Sequence, residues 1–271
     1  MPSSDLALSF RRLHTGAPLV LPNAWDAGSA RMIEDAGAAA IATTSAGVAW
    51  SRGRRDGHGL SATEAADAVR RIAETVAVPV SADIEGGYGA GTPEDVAASV
   101  RLVVEAGAVG INLEDASGAG LFAPDEQAAR IQAARAAADD LGVGVFINAR
   151  TDVYLAGIGA EADRLAHVAD RAAAYLDAGA DGIFVPGVSD SETICALVEA
   201  IDAPLNVMAG PGALSVSDLA ALGVVRISLG PSVALAALDL ARAAAREALT
   251  LGTYASCDLG FGEANALFAD V

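Results

Sequence analysis

With 271 residues, of which 53% are hydrophobic and 4% aromatic, the chain is long for two small domains and typical in length of one α/β barrel. Its net charge of −18 argues against nucleic acid as a partner, and an anionic substrate would need local positive charge from arginine or a metal. All 17 basic residues are arginine, which excludes Schiff-base aldolases, pyridoxal-phosphate enzymes and Walker-A sites because each needs a lysine amine.

Eight short apolar runs along the chain are typical of buried strands. They span residues 18–23, 40–44, 78–84, 110–114, 143–150, 182–186, 205–208 and 225–229. Alanine-rich amphipathic stretches separate them and predict helices, among them residues 63–76, 93–106, 125–141 and 160–178. Alternating strands and helices require right-handed crossovers and a parallel sheet, so the pattern predicts an α/β fold, a (β/α)8 TIM barrel.

The two ends of the chain extend this pattern. Residues 1–15 predict a helix that caps the barrel, and a glycine-punctuated segment after Thr250 leads to a last short helix near residues 263–270. We predict a single barrel domain over residues 1–271, with residues 250–271 as an extension. No apolar run is long enough to span a bilayer and no secretory signal is recognisable, so we expect a cytoplasmic protein without a membrane partner.

Polar residues follow most of the predicted strands at their carboxyl ends, where barrel enzymes carry their active sites. They are Asn23, Asp26, Thr44, Ser45, Asp83, Glu85, Glu114, Asp115, Arg150, Asp152, Asn206 and Ser228. We expect these side chains to converge on one mouth of the barrel.

Three of these acids predict a metal site. Asp83 and Glu85 are two residues apart and share one face of a strand, and Glu114 on the next strand could reach the same point. Buried carboxylates repel one another unless positive charge lies between them. Three carboxylates with water suit octahedral Mg²⁺ or Mn²⁺, whereas the alternative is a salt-bridge cluster with Arg150.

Arg150 and the small residues after the second strand are candidates for binding a substrate. A guanidinium at a barrel mouth can bind a carboxylate bidentately and favour a developing enolate; it can also neutralise Glu114, and the two roles are compatible. Ser45, Ala46 and Gly47 would let backbone N–H groups approach a ligand oxygen. The alternative is an ordinary turn between strand and helix, for which small residues are equally typical.

Two further segments have a functional and a structural interpretation. Residues 52–59 carry the densest positive charge and form either a solvated loop or a lid, from which Asp56 would reach the metal through water. His58 in that loop has no clear role, and we expect His14 and His167 at the surface. Tyr88 follows two glycines and either contacts the substrate, donating a proton, or simply packs.

Together these motifs resemble the isocitrate lyase/phosphoenolpyruvate mutase superfamily over roughly residues 8–250. The matching segments are Leu21-Pro22-Asn23-Ala24-Trp25-Asp26, Thr44-Ser45-Ala46-Gly47, Asp83-Ile84-Glu85-Gly86-Gly87-Tyr88-Gly89, Leu113-Glu114-Asp115 and Ala149-Arg150-Thr151-Asp152. The third has Glu85 where the family has a second aspartate.

The resemblance implies a barrel whose eighth helix is exchanged between subunits of a homodimer or homotetramer. It implies Mg²⁺ near Asp83, Glu85 and Glu114, with Asp56 in its outer shell, and a 2-oxo acid chelated to the metal. The residues predicted to bind that acid are Ser45, Ala46, Gly47, Asp83, Arg150 and Asn206. Arg150, Asp56 and Tyr88 are the predicted catalytic residues.

The chain departs from the superfamily where the reaction is decided. The lyases carry a Lys-Lys/Arg-Cys-Gly-His loop after the fourth strand, and the mutase a Lys-x-Asn, whereas residues 115–124 contain no Cys, Lys or His. After Asn206 the chain reads Val207-Met208 in place of the lyases' Ser or Thr.

The sequence therefore predicts a Mg²⁺-dependent enzyme that cleaves a C–C bond of a small, oxaloacetate-like 2-oxo acid through a metal-stabilised enolate. Decarboxylation needs no protein base, whereas a retro-aldol reaction needs an acid and a base. The alternatives are a carboxyphosphonoenolpyruvate-type phosphonomutase, with Arg52, Arg54 and Arg55 as clamps, and a 2-oxo acid binding protein without catalysis.

Overall fold

A computed structural model describes residues 4–57, 59–118, 120–255 and 258–269 of the chain; His58 lies outside these ranges. The strands in this part of the chain are β1 (Leu19–Leu21), β2 (Asn23–Ala24), β3 (Ile41–Thr43), β4 (Val80–Asp83), β5 (Gly110–Glu114), β6 (Ala116–Ser117), β7 (Gly120–Leu121), β8 (Phe146–Arg150), β9 (Gly182–Val185), β10 (Leu205–Met208) and β11 (Arg226–Ser228). The helices are α1 (Ser4–Arg12), α2 (Ala27–Asp35), α3 (Ser45–Ser51), α4 (Ala62–Thr75), α5 (Pro93–Glu105), α6 (Pro124–Asp140), α7 (Arg164–Asp177), α8 (Ser191–Ala200), α9 (Val216–Ala221), α10 (Ser232–Thr250) and α11 (Phe261–Ala266).

Nine parallel strands of the described chain form a nearly closed barrel in the order β1-β11-β10-β9-β8-β5-β4-β3-β2. β1 pairs with β11 and β2 pairs with β3, and only Pro22 separates these two short strands. Proline has no N–H to donate to a ladder, so it breaks the predicted first strand into two pieces that face different neighbours. The structure thus confirms the α/β class and the TIM barrel.

Helices between the strands begin at residues that the sequence makes good caps. The Thr92 side chain accepts a hydrogen bond from the Asp95 N–H, Pro93 occupies the first helical turn, and Asp95 completes a capping box. Ser61 and Glu64 form the same arrangement at the start of α4. These caps fix where each loop at the mouth ends and its helix begins.

The base of the barrel is closed by α1, as the sequence predicts for its N-terminal helix. Phe10 is fully buried, and a Cβ on Gly110 would lie 2.5 Å from the Phe10 ring. Only glycine at position 110 therefore leaves room for this ring at the base of the barrel. His14 also packs here: its ring stacks on Phe146 at 3.9 Å and its Nδ1 donates to the Phe10 carbonyl at 2.9 Å. The prediction of a surface histidine is therefore wrong for His14, because the rings of Phe10 and Phe146 bury it.

Other departures from the predicted elements are local. A two-stranded antiparallel pair, β6 with β7, follows the fifth strand, and residues 45–51 form the short helix α3 where a turn was the alternative. The final helix spans Phe261–Ala266, earlier than predicted. Among the described helices, none is both long and apolar enough to cross a lipid bilayer.

The outer face of α10 and a groove on the barrel are both apolar and uncovered. α10 buries only Ala234 and leaves Leu235, Leu238 and Leu240 about half exposed. An open groove of about 680 Å³ runs along β1 and α2, lined by side chains that include Val20 and Ile33. Apolar surface of this extent usually marks a contact with another molecule.

Candidate active site

A cavity of about 190 Å³ opens at the carboxyl ends of the barrel strands. Its lining comes from eight strands, β2 to β5 and β8 to β11, and the loops that follow them: Asn23, Thr44, Ser45, Ala46, Asp56, Asp83, Asn112, Arg150, Leu155, Phe184, Met208, Ser228, Gly230 and Pro231. Eight of the predicted site residues and strand-end polar residues therefore meet at one mouth: Asn23, Thr44, Ser45, Ala46, Asp56, Asp83, Arg150 and Ser228. The far wall, formed by Leu155, Phe184 and Met208, is apolar.

Three hydrogen bonds fix Asp83, one from its own N–H and two to its carboxylate. Its own N–H donates to Thr43 Oγ1 at 2.8 Å, while its carboxylate accepts from the Glu85 N–H at 3.2 Å and from the Ser45 N–H at 3.3 Å. The last bond ties the carboxylate to the first residue of α3, where the helix dipole favours negative charge. Asp83 therefore remains oriented toward the mouth without help from a side-chain cation.

Glu85 and Tyr88 both lie in the left-handed region, with φ of 49° and 59°. Only glycine adopts this conformation without cost, so the turn from Glu85 to Gly89 stores strain beside the site. Gly87 allows the turn to close, since a Cβ there would lie 2.5 Å from Val96. The strained turn places Glu85, a residue that is 97% buried, in the same locality as Asp83.

Glu114 and Asp152 flank Arg150. Arg150 Nη1 lies 3.0 Å from Glu114 Oε2, and its Nε and Nη2 donate to Asp152 at 2.6 and 2.8 Å. Burial raises the pKa of Glu114 to about 8; Arg150 opposes the shift, while Asp83, Asp152 and Glu85 add to it. The salt-bridge alternative thus holds for Glu114 and Arg150, and the mouth still carries more acids than this one guanidinium balances.

The donor set of the mouth fits a hard divalent cation. In the geometry seen for the described residues, no three His, Cys, Asp or Glu side chains converge closely enough to hold an ion. The charges of Glu85, Asp83, Glu114 and Asp56 nevertheless all act on the Tyr88 phenol, so the four acids share one locality. An excess of carboxylate oxygens, with neither sulfur nor imidazole among the described ligand candidates, is typical of Mg²⁺ sites. Asp83, Glu85 and Glu114 therefore remain the predicted ligands.

Tyr88 lies behind the site. It lines a separate small cavity that it shares with Ser45 and Asp83, and it is 95% buried. Burial, reinforced by Glu85 and Asp83, raises its pKa well above the usual value for tyrosine, so the phenol keeps its proton. The predicted catalytic role of Tyr88 stays a prediction, and its position favours contact with the acids over contact with a ligand in the main cavity.

The helix α3 accounts for the small residues at the second strand. Thr44 is its N-cap, and a Cβ on Gly47 would lie 2.8 Å from both Thr44 and Trp25. Glycine at this position therefore lets the helix start close against the first strand. Ser45 and Ala46 line the cavity at the positive end of this helix.

The arginines of the 52–59 loop point to α4. Arg52 donates to Asp67 at 3.1 Å, and Arg54 donates to Glu64 at 2.9 Å. Asp56, in contrast, is an exposed residue that lines the mouth. Two of the three guanidiniums considered as phosphonate clamps are thus paired with acids of a neighbouring helix.

Six of the twelve strand-end residues do not line the cavity: Asp26, Glu85, Glu114, Asp115, Asp152 and Asn206. Asn206 is fully buried and exchanges hydrogen bonds of 3.1 and 3.2 Å with Ser228, so it supports a residue that lines the mouth. Asp115 does not point to the mouth as expected: it is buried against α7, where Arg171 and Tyr175 donate to it at 3.0 and 2.8 Å. Consecutive residues of a strand face opposite ways, so Glu114 inward places Asp115 outward.

Sequence reasoning missed Arg130 on α6. Its guanidinium donates to the carbonyl oxygens of Gly86 and Glu114 and to Gln127, and its side chain is 99% buried. It therefore links the two loops that carry Glu85 and Glu114. The available signal was an arginine on the apolar face of an otherwise alanine-rich helix, between Gln127 and Ile131.

Fold and mouth together define a class: TIM barrels with an acid-rich, arginine-containing site at the carboxyl ends of their strands. The model of the phosphoenolpyruvate phosphomutase family matches residues 10–249, so the chain belongs to that family. This confirms the predicted membership of the phosphoenolpyruvate mutase/isocitrate lyase superfamily, whose members include lyases and mutases.

Relatives agree with this assignment. An uncharacterized protein of Mycobacterium tuberculosis is 38% identical over 270 residues, with 97% of each chain covered. A solved Burkholderia cenocepacia structure, assigned provisionally as a lyase/mutase, is 40% identical with a TM-score of 0.91 and covers 98% of this chain and 97% of its own. A phosphonopyruvate hydrolase solved with oxalate and Mg²⁺ is 26% identical with a TM-score of 0.86, covering 100% and 96%. Oxaloacetate acetylhydrolase in complex with 3,3-difluorooxalacetate is 25% identical with a TM-score of 0.87, covering 98% and 94%.

Proposed function

We propose that the protein is a Mg²⁺-dependent enzyme that cleaves a C–C bond of a small 2-oxo acid, with oxaloacetate-like acids as the substrate class. The observation that carries the proposal is Arg150, held between Glu114 and Asp152 at the edge of a small cavity rich in carboxylates. Membership of the family, and the oxalate and difluorooxalacetate complexes of two solved relatives, support the same substrate class.

In this proposal the metal is held by Asp83, Glu85 and Glu114, with Asp56 contributing through water. Mg²⁺ would supply Lewis acidity toward the carboxylate and keto oxygens of the substrate. The chain's own contribution is orientation and charge. Arg150, already fixed by two bonds to Asp152, offers a rigid positive group for a carboxylate or for developing enolate charge. The Ser45 N–H at the start of α3 already donates to Asp83, so the N–H of Ala46 is the amide there that would be offered to a substrate oxygen.

Decarboxylation is the form of C–C cleavage that these residues support best. A retro-aldol reaction needs an acid and a base at the reacting carbon and hydroxyl. The segment after β5 carries no Cys, His or Lys, and the described β6–β7 pair is short. Loss of CO₂ requires no protein base, only a later proton, so it suits a mouth that offers carboxylates and one arginine.

We also propose that two copies exchange α10. In a (β/α)8 barrel the last helix normally packs on the outside of the closing strands. Here α10 leaves its leucines exposed while the groove along β1 and α2 stays open, which is the arrangement expected if the α10 of a second copy fills the groove. The homodimer or homotetramer predicted from the superfamily follows from this exchange.

A turnover assay tests the reaction. The protein is incubated with Mg²⁺ and a panel of 2-oxo acids and phosphonates, while pyruvate, CO₂ and phosphorus NMR are followed. Mg²⁺-dependent release of a C–C cleavage product is expected, and its loss with EDTA is the control. A change in the phosphorus spectrum would instead support a phosphonomutase, which the family's description favours and the pairing of Arg52 and Arg54 with α4 disfavours. Binding without turnover would leave a 2-oxo acid binding protein.

A further inference from the structure

Beneath the mouth, the interior of the barrel is polar where such barrels usually carry Val, Ile or Leu. Asn112, Asn148 and Arg226 lie two residues before Glu114, Arg150 and Ser228 on their strands, so each points into the barrel one layer below the mouth. All three are at least 95% buried. A polar layer in this position is costly unless its groups are matched to one another.

Arg226 controls how the amide of Asn112 is oriented. Its side chain is 99% buried and forms no ion pair with any residue in the described ranges; its Nη2 donates to Asn112 Oδ1 at 3.2 Å. Asn148 Nδ2 donates to the same oxygen at 2.8 Å. A guanidinium has donors and no acceptor, so the atom of Asn112 that faces Arg226 has to be the oxygen. The chemistry of Arg226 thus fixes an amide that could otherwise flip.

The Nδ2 group of Asn112 can donate a hydrogen bond into the mouth cavity. Asn112 lines the mouth cavity, pairs in register with Asp83 across β4 and β5, and forms no hydrogen bond from Nδ2 to any described residue. Since Oδ1 faces down to Arg226 and Asn148, the small exposed part of the side chain presents an N–H donor to the cavity. This donor lies on the floor of the cavity, opposite its opening and beside the predicted metal ligand Asp83.

We infer that Asn112 is a substrate-binding residue whose Nδ2 donates a hydrogen bond to an oxygen of the bound 2-oxo acid, and that Arg226 is the positioning residue that aims it. The inference rests on the proposed function and adds a contact to it. The buried charge of Arg226 also polarises the amide through Oδ1, which strengthens the donor at the other end. A chain without lysine thereby brings positive charge to the floor of its site without exposing the cation.

Oxalate, a planar mimic of a 2-oxo acid enolate, is the probe. Mg²⁺ binding and Mg²⁺-dependent oxalate binding are measured by calorimetry for the full-length wild type and for Asn112→Ala, Asn148→Ala and Arg226→Met. Asn112→Ala should weaken oxalate binding about tenfold or more while Mg²⁺ affinity stays within about twofold, because one bond to a charged oxygen is lost. Asn148→Ala is the matched control: it removes a buried amide of the same network that does not line the cavity, and oxalate affinity should change by less than about threefold. Arg226→Met should fall between the two, because the amide of Asn112 can then flip.

The outcomes separate the two proposals. Wild-type protein that binds no oxalate in the presence of Mg²⁺ would overturn the proposed function and this contact with it. Wild-type binding that Asn112→Ala leaves unchanged would overturn the contact alone. If Asn112→Ala does not fold, Asn112→Asp replaces it: its carboxylate can accept from Arg226 and Asn148 and so keep the network, but it presents oxygen instead of N–H. Oxalate binding by a folded Asn112→Asp protein at wild-type affinity would likewise refute the donor role.

Discussion

At the scale of single residues, the site is organised by the balance of charge. Four acids, Asp56, Asp83, Glu85 and Glu114, all act on the Tyr88 phenol, and Arg150 is paired with one of them, Glu114, and with Asp152. Carboxylates held this close stay ionised only when positive charge joins them.

Glu85→Gln should weaken Mg²⁺ binding by about tenfold or more, since it replaces a predicted ligand by a neutral group of the same shape and even outer-sphere changes cost that much. The measurement is Mg²⁺ titration by calorimetry, with turnover of the best 2-oxo acid followed in parallel. Glu74→Gln, on the exposed end of α4, is the control and should leave both unchanged. Wild-type affinity in Glu85→Gln would remove Glu85 from the ligand set.

His14 should make the stability of the fold depend on pH. Burial, assisted by the charge of Arg226 and Arg11 and opposed by the Phe10 carbonyl and Asp181, lowers its pKa from 6.5 to about 4. In the unfolded chain His14 binds a proton below about pH 6.5, whereas in the folded chain it stays neutral down to about pH 4. The stability that the neutral ring contributes above pH 6.5 is therefore lost as the pH falls from 6.5 to 4. A shift of this size corresponds to up to about 3 kcal/mol.

Urea unfolding at several values between pH 7.5 and pH 4 measures this dependence. His14→Gln should flatten the slope of unfolding free energy against pH in this window, whatever its effect on stability at pH 7.5. His167→Gln changes an exposed histidine of α7 and should keep the wild-type slope. Equal slopes in wild type and His14→Gln would contradict the prediction.

At the scale of elements, α6 links the loops that carry the predicted metal ligands from outside the barrel. Arg130 bonds the loop after β4 through the Gly86 carbonyl and the end of β5 through the Glu114 carbonyl. The strained turn at Glu85 has no regular secondary structure of its own to keep it in place. A helix can therefore set the distance between two acids without contacting either carboxylate.

Arg130→Met should lower Mg²⁺ affinity severalfold and also lower stability by about 1–3 kcal/mol, because it keeps the packing of the stem and leaves two buried carbonyls without their donor. Arg135→Met is a matched control on the same helix. Arg135 bonds Asp181 and the Gly179 carbonyl near the base of the barrel, so it should cost similar stability and leave Mg²⁺ affinity unchanged. If both variants lost Mg²⁺ affinity to the same extent, the loss would reflect a general loosening of the barrel and would contradict a specific role of Arg130.

At the scale of the whole molecule, the apolar face of α10 and the groove along β1 are two uncovered apolar surfaces of one chain. Leu235 and Leu238 are about 50% exposed, and burying both in a partner would contribute several kcal/mol per copy. If the helix is exchanged as we propose, each site lies in a barrel that a second copy helps to close. Assembly and folding would therefore be linked.

Leu235→Glu/Leu238→Glu should convert the proposed dimer or tetramer to monomer at micromolar concentration, because two charges cannot enter an apolar groove. Light scattering after size-exclusion chromatography gives the mass. Leu8→Glu changes an equally exposed leucine on α1 and should leave the assembly intact. A monomeric wild type would refute the exchange outright.

Much of the site could be located from the sequence because strand ends are local features. The runs ending at Glu114 and Arg150 match β5 and β8 at their carboxyl ends, and the alternation of facing residues brings Glu114 inward. The prediction for Asp115 was wrong for the same local reason: because Glu114 points inward, the next residue points outward and contacts Arg171 on α7. The prediction that His14 lies at the surface was wrong for another reason: its ring stacks on Phe146, which is more than a hundred positions away in the chain.

By itself the sequence determined the barrel class, the strand ends that carry the acids, and the absence of lysine chemistry, because periodicity, capping and composition act over a few residues. Only the tertiary structure decided that Arg130 links two loops, that Arg226 donates to the amide oxygen of Asn112, and that α10 leaves its leucines exposed while an apolar groove stays open. Those contacts join residues that are distant in the chain; Asn112 and Arg226 are separated by 114 positions. Closure of the barrel brings them together, and no local pattern records which partner each will meet.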